Sequence, residues 1–318
     1  MKILSAVFAG ALLASGNAPV FAAGYPERPI SIVVPFGAGG STDAMTRGLA
    51  AEMSKALGQP VVTLNVAGAG GTIGAVRVAS ANSDGYTVGM LPVGPLTTQP
   101  HILRLSYGVD AFDYVCLVYS NPQAVIVRAD SPFKTVADLV TYAKQNPGKL
   151  NYGSSGVGSV PHLAAVALAR AAAIDIVHIP HKGDADNMVS LLRGDVSMFV
   201  SHTAVLASHA QEVRALGLMA AQRLKEYPHL PTLAEQGAPA LSFDVWGGLV
   251  VPKGTPAPVI AELENACRAG TSSEGFRKLL ANLQTPFNYM DGKTFGNFVA
   301  AEFNRYAKLL REAGVAKE

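Results

Sequence analysis

Charge is what this sequence has least of. Acidic and basic residues make up 15% of 318 positions, 25 Lys and Arg against 23 Asp and Glu, a formal balance of +2. A nucleic-acid footprint or a polybasic membrane patch needs a concentrated excess of one sign, so both are excluded. There are only two cysteines, too few for a disulfide-dense small scaffold. Beyond the N-terminal segment, no apolar run approaches the roughly 20 residues that a membrane-spanning helix needs. The 32 glycines and 20 prolines follow no fixed period, which excludes collagen-like and low-complexity readings.

The N-terminal segment is apolar in its own way. Lys2 precedes the apolar stretch Ile3 to Ala14, and Phe21-Ala22-Ala23 offers a small-residue cleavage site. This pattern predicts a secretory signal peptide over 1–23 and an exported chain beginning near Ala23 or Gly24. No cysteine follows the apolar stretch, which argues against a lipoprotein anchor. Losing Lys2 would leave a balance of +1. Roughly 295 remaining residues are more than one core usually organises, so two domains are expected. Cys116 sits in the apolar, strand-like run Tyr114 to Tyr119, far in sequence from Cys267. Two buried free thiols are expected, with a disulfide as the alternative open to an exported chain.

What the sequence does have is glycine loops that open helices. Ile30, Ile32, Val33 and Val34 read as a buried strand, which Pro35 ends. Gly37, Gly39 and Gly40 follow, then the cap-type residues Ser41, Thr42 and Asp43. Met45, Leu49 and Met53 place one apolar stripe on the helix beyond. Val61 to Leu64 leads in the same way through Gly68, Gly70 and Gly71 into a second helix. Asn151 to Val160 leads into a third, with Ser159 as its cap and Pro161 in its first turn. Helix starts present unpaired N–H groups and the positive end of the dipole, an arrangement that accepts an anion. One such loop is ordinary strand-to-helix chemistry; three in an exported chain point to ligand capture.

The rest of the chain keeps the alternation. Asn82 to Gly85 is a turn, Tyr86 to Leu91 a strand and Pro92 to Pro100 a loop after it. This βαβαβ rhythm predicts a parallel sheet, whose ligands bind at the carboxyl ends of its strands. Tyr114 to Tyr119 and Ala124 to Val127 read as two strands, and the break Ser120 to Gln123 as a crossing between domains. Thr135 caps a helix that ends at Asn146-Pro147-Gly148. Strands follow at 174–179, 196–200 and 213–219, with a helix over 184–193. Phe243 to Val251 returns to the first domain, a helix covers 259–268, and a long C-terminal helix lines one face with Phe295, Phe298, Val299, Phe303, Tyr306, Leu309 and Leu310, a pattern expected for core packing.

These motifs together identify a resemblance to the Bug (TctC-like) substrate-binding proteins of tripartite tricarboxylate transporters, along the whole mature chain. It rests on Tyr25-Pro26-x-Arg28-Pro29, Val33-Val-Pro-Phe36 with Gly39 to Asp43 and Arg47, Gly68 to Gly74, and Asp84-Gly-Tyr86. Asn146 to Gly156, His162-Leu163, Pro180 with Lys182-Gly183, and Val251 to Thr255 add to it. The resemblance implies an α/β type II periplasmic binding protein fold: two α/β lobes joined by two crossings, with the ligand cleft between them. The first lobe would be 24–123 with 244–318, the second 124–243. It further implies a small carboxylate ligand, held largely by backbone groups and water, no cofactor, a monomer in the periplasm, and delivery to a membrane transporter or a sensor domain. In the first lobe the implied contacts are Phe36, Gly39, Gly40, Ser41 and Thr42, then Ala69, Gly70, Gly71 and Thr72. In the second they are Ser154, Ser155, Val157, Ser159 and His162, then Ser201 and His202.

Several positions depart from the family pattern. Val66-Ala67 replaces its Arg-Pro, Val200 stands where an aspartate is common, His181 replaces an aromatic residue, and the Val93 to Gln99 loop is unusual. Losing an acid near the cleft favours a less cationic ligand, an aromatic acid over an amino acid. Asp43 reads as structural, because its charge would repel a carboxylate while suiting the helix start. Trp246 reads either as a wall of the site or as a packed hinge residue. His178 and His181 lack a third ligand for a metal. An exported hydrolase is the runner-up. Against it, Gly153-Ser-Ser-Gly156 is one residue short of a nucleophile elbow, and no glycine loop carries a P-loop lysine or a full dinucleotide fingerprint.

Overall fold

The computed structural model describes residues 24–317 apart from 182, 183, 204, 207 and 208. The expected signal segment 1–23 and the Lys182-Gly183 pair therefore lie outside the described residues. Strands β1 (Ile30–Val34), β2 (Val61–Asn65) and β3 (Thr87–Pro92) pair in parallel with β1 central. Ile30, Ile32, Val33 and Val34 are all essentially fully buried, as a strand covered on both faces requires. Helix α1 (Ser41–Leu57) buries Met45, Leu49 and Met53, and left-handed Gly58 ends it. Helix α2 (Thr72–Ala79) follows β2. The segment after β3, expected as a loop, is helical instead. A π-helical turn, Gly94–Thr98, runs into the short helix α3 (Gln99–Ile102). Pro95 and Pro100 sit in first-turn positions, where no N–H is missed. The hydroxyls of Thr97 and Thr98 bond back to the carbonyls of Val93 and Gly94.

The two strands expected around Ser120 to Gln123 are one, β4 (Phe112–Arg128). It pairs with β9 (Asp244–Pro252) up to Pro122, and from Gln123 onward with β7 (Met198–His202) and β8 (Val213–Met219). Pro122, which brings no N–H to a ladder, falls where the β9 pairing stops. The expected crossing is thus a change of partners within a continuous strand. Phe243 N donates to Met219 O and Gln123 N to Phe243 O, so the outgoing and returning chains run side by side. Beyond β4, β7 pairs with β5 (Leu150–Ser154) and β5 with β6 (Ile176–Pro180), both in parallel. Helices α4 (Val136–Gln145), α5 (Val160–Ala172) and α6 (Asp184–Arg193) belong to this half. Back in the first half, β9 also pairs with β3, and α7 (Ala257–Ser272) follows it. Two elements between Arg268 and Phe295 were not anticipated: α8 (Glu274–Asn282) and β10 (Phe287–Asp291), which pairs antiparallel with β4. Helix α9 (Gly292–Glu312) buries Phe295, Val299, Tyr306 and Leu310.

One apolar cluster spans both halves, joining Val33, Leu91, Trp246 and Phe295 to Leu139, Leu163 and Val200. The other face of the first sheet packs Ile32, Met45 and Leu49 against α7 and α8, through Leu263 and Phe276. The other face of the second sheet packs Ile126 and Phe199 against Met188 and Leu191 of α6. The expectation of two free thiols is corrected: Cys116 and Cys267 form a disulfide, with Cα atoms 6.8 Å apart across a sequence separation of 151. Both occupy the same buried cluster, because the return through β9 lays α7 on the face of β4. Distance along the chain was a poor guide here. Among the described residues, no helix is long and apolar enough to cross a membrane.

Candidate functional site

The first two glycine loops are held by one buried carboxylate. Asp43 Oδ2 accepts from Gly39 N and from Arg47 Nε, both at 2.9 Å. Its Oδ1 accepts from Asn65 Nδ2 at 2.9 Å, while Asn65 Nδ2 also reaches Phe36 O and Asn65 Oδ1 accepts from Arg47 Nη2. The Arg47 hydrogen bond, then the Gly39 and Asn65 bonds, hold the Asp43 carboxyl down at about 2 against the opposing effect of burial. Asn65 closes β2, so this network joins the ends of β1 and β2 into one body. The expected cap is revised. Gly40 is the N-cap of α1, Ser41 is its first residue, and Asp43 reaches back from the first turn instead. Thr42 is buried, its hydroxyl 3.4 Å from that of Tyr119.

The second loop is unusual backbone. Gly68, Ala69, Gly70 and Gly71 all have positive φ, including +47° at Ala69, a region that costs a non-glycine residue about 1 kcal/mol or more. Thr72 Oγ1 bonds to Ala69 O at 2.9 Å and Gly71 N to Gly68 O at 2.9 Å, which holds the shape. A Cβ at Gly71 would lie 2.8 Å from Pro95 Cγ and 3.4 Å from the Phe36 ring, and one at Gly70 would lie 3.1 Å from Gln99 Nε2. The loops after β1, β2 and β3 therefore meet. Helices α1 and α2 both start on glycine with no side-chain cap, whereas α4, α5, α8 and α9 are capped by Thr135, Ser159, Ser273 and Asp291. Their first N–H groups are left without a side-chain acceptor.

The third loop comes from the second half and faces the others: a Cβ at Gly158 would overlap Ile102 of α3. Ser159 caps α5, accepting from His162 N, and its hydroxyl bonds to Gly156 O at 2.7 Å. His162 Nδ1 accepts from Gly158 N at 3.1 Å, so that ring positions the loop. Its ring stacks on His178 at 4.2 Å, and His178 stacks on Tyr152 at 4.9 Å. Burial, then the neighbouring His178, pushes His162 down to about 4, which keeps it neutral. Burial, then His181, lowers His178 as well. Ser154 Oγ lies 2.7 Å from His178 Nε2, a spacing that suits a nucleophile and its base. The serine is fully buried, however, and Gly156 already engages its oxygen through N–H and carbonyl. Among the described residues no group of His, Cys, Asp and Glu is placed to hold a metal.

Of the remaining expected residues, Ser155 and Val157 lie in the third loop, Val157 exposed. Ser201 and His202 end β7, Ser201 fully buried. Phe36 and Ile73 expose apolar side chains on the first half. Trp246 is core, edge-on to Phe295 and Phe298. Sequence reasoning assigned no role to Asn65, Gln99, Gln123 or Asn187, and it weighed His178 only as a metal ligand. Asn65 had a signal, a polar residue closing an apolar strand run. Gln123 is fully buried in β4, and neither amide atom has a partner.

Two α/β halves joined through paired crossings, with loops from both meeting at one edge, are the architecture of a two-lobed solute-binding protein. The comparisons agree on the class. Residues 45–315 match the family described as Tripartite tricarboxylate transporter family receptor, and the chain belongs to that family. It is 33% identical to Protein BugT of Bordetella pertussis, covering 93% of this chain and 93% of that one. Among solved structures, a TctC solute binding protein from Polaromonas superposes with TM-score 0.80 at 32% identity, covering 91% and 99%. Rpa4515 of R. palustris with adipate gives 0.80 at 30%, covering 92% and 99%. MatC of Rhodopseudomonas palustris with bound malate gives 0.75 at 29%, covering 90% and 100%.

Proposed function

We propose that this protein captures a small organic acid between its lobes, 24–123 with 244–318 on one side and 124–243 on the other. One carboxylate is received by the N–H groups at the starts of α1 and α2, with Gly39 to Thr42 and Ala69 to Thr72 as the contact segments. The observation that carries this reading is the contrast in capping. Four helices carry a side-chain cap, α3 and α7 have none but carry a proline in the first turn, and α1 and α2 are the two described helices that start on bare glycines. Unsatisfied N–H groups at paired helix starts favour an anion. The adipate and malate bound by the two R. palustris relatives support the same ligand class. Around the second lobe's loop, neutral His162 and buried Ser154 offer no anion to hold an ammonium group, which favours di-, tri- or aromatic carboxylates over amino acids.

Closure lets both lobes touch the acid at once, so ligand shifts an open-to-closed equilibrium. It also covers apolar Phe36, Ile73 and Val157. The protein is exported by residues 1–23, works in the periplasm as a monomer, and delivers its ligand to a membrane transporter of the tripartite tricarboxylate type. Presentation of the ligand to a sensor domain is the second reading, supported by the same closure. Titration calorimetry against a panel of organic acids, amino acids and sugars tests the ligand class. Heat from carboxylates is expected; heat from sugars or amino acids alone overturns it.

A further inference from the structure

Asn187 stands in the first turn of α6, next to Met188 and four residues before Leu191. Both neighbours bury into the core beneath that helix, so Asn187 occupies a position of the apolar stripe. Its side chain is fully buried, and neither Nδ2 nor Oδ1 has a hydrogen-bond partner. It lies directly over Gly153 of β5, where a Cβ would overlap Oδ1. Gly153 pairs with Phe199 of β7, and Phe199 packs with Met188 and Leu191, so this is the α6 face of the sheet. Ser201, two residues on along β7, shares that face by strand alternation. Its Oγ is also buried and unpartnered. His181 Cε1 lies 3.4 Å from the same Gly153 position, and its Nδ1 has no partner either.

An isolated buried amide or hydroxyl is unfavourable, and native interiors rarely leave one unmet. Here three such groups gather on one face at the carboxyl ends of β5, β6 and β7, the edge from which the third loop springs. A leucine at 187 would have continued the stripe. We propose that Asn187, together with Ser201 and His181, is a specificity-determining group of the second lobe, reading an uncharged hydroxyl carried on the far end of the bound acid. An amide and a hydroxyl each both donate and accept, which matches a ligand hydroxyl. This assignment rests on the carboxylate reading and adds the subclass: a hydroxy acid over its unsubstituted counterpart.

The test is titration calorimetry with matched pairs, p-hydroxybenzoate against benzoate and a terminally hydroxylated hexanoate against hexanoate. The wild type, Asn187→Leu and Ser201→Ala are compared. The wild type is expected to prefer the hydroxylated member of at least one pair by about 10-fold or more. Asn187→Leu should erase that preference while holding the unsubstituted acid within about 3-fold. Ser201→Ala should move the ratio in the same direction. The melting temperature of Asn187→Leu should equal or exceed that of wild type, because an unpartnered amide leaves the core. An unchanged ratio, or a marked loss of stability in Asn187→Leu, overturns the assignment. Acids binding without preference for the hydroxyl would sink the subsite and leave the carboxylate reading intact. Silence from every acid, with neutral polyols binding in an Asn187-dependent way, would do the reverse. Silence from all of them overturns both.

Discussion

Replacing Asp43 by asparagine probes the network that joins the first two loops. In the native arrangement Asp43 accepts from Gly39 N, Arg47 Nε and Asn65 Nδ2, while Asn65 Oδ1 accepts from Arg47 Nη2. Every donor is met because the carboxylate offers two acceptor oxygens. An amide at 43 offers one. With its NH2 toward Asn65, two donors face each other. If Asn65 turns over to accept, its own NH2 meets Arg47 and deserts Phe36 O. Depression of the carboxyl from 3.8 to about 2 corresponds to roughly 2 kcal/mol, and one unmet donor adds about 1–3 kcal/mol. Asp43→Asn is therefore expected to cost about 3–5 kcal/mol at neutral pH. The folded pKa lies below the unfolded one, so the wild-type advantage is present above about pH 4 and fades as pH falls toward about 2. Urea midpoints at a series of pH values measure this, with the gap between wild type and variant narrowing under acid. A loss below about 0.5 kcal/mol at neutral pH, or a gap that does not change with pH, would refute the network's role.

Three further outcomes are expected. Asp244, at the returning crossing, is raised to about 6 by burial, then by Glu302, against the Ser120 hydrogen bond and Arg305. A raised acid is penalised when ionised, so this cost appears as pH climbs past about 4 and is complete above about 6. Asp244→Asn should then stabilise by about 1–3 kcal/mol at alkaline pH and by little near pH 4, read by thermal melts. Removing the disulfide with Cys116→Ala and Cys267→Ala should lower stability by about 2–5 kcal/mol in equilibrium unfolding, and added reductant should leave the double variant unaffected. Gly71→Ala places a Cβ 2.8 Å from Pro95 Cγ at φ +93°. It should cost about 1–3 kcal/mol and weaken acid binding in calorimetry.

The glycine loops and their helices were legible because each carries a local signal. A β-branched run, then glycines, then an apolar stripe every fourth residue cannot easily be anything else. The Thr135 and Ser159 caps were legible for the same reason. What failed was what depends on distant neighbours. Ser120 to Gln123 looks like a break, yet the strand continues because β9 hands over to β7 and β8 beside it. The proline-rich stretch after β3 looks like a loop, yet its threonines close a helical turn. The candidate site residues divide in the same way. Gly40 and Gly71 could be found by type, while Asn187 becomes conspicuous only once Gly153 is seen beneath it.

The bond between Cys116 and Cys267 encloses all that lies between the outgoing and returning crossings. Everything from Leu117 to Ala266 hangs on the first lobe as a covalent hoop. A protease that severs one peptide bond anywhere along that hoop would yield two fragments still tethered to each other. They would migrate together under denaturing conditions and separate only when a thiol is added, so intact size on a non-reducing gel says nothing about whether the second lobe has been clipped.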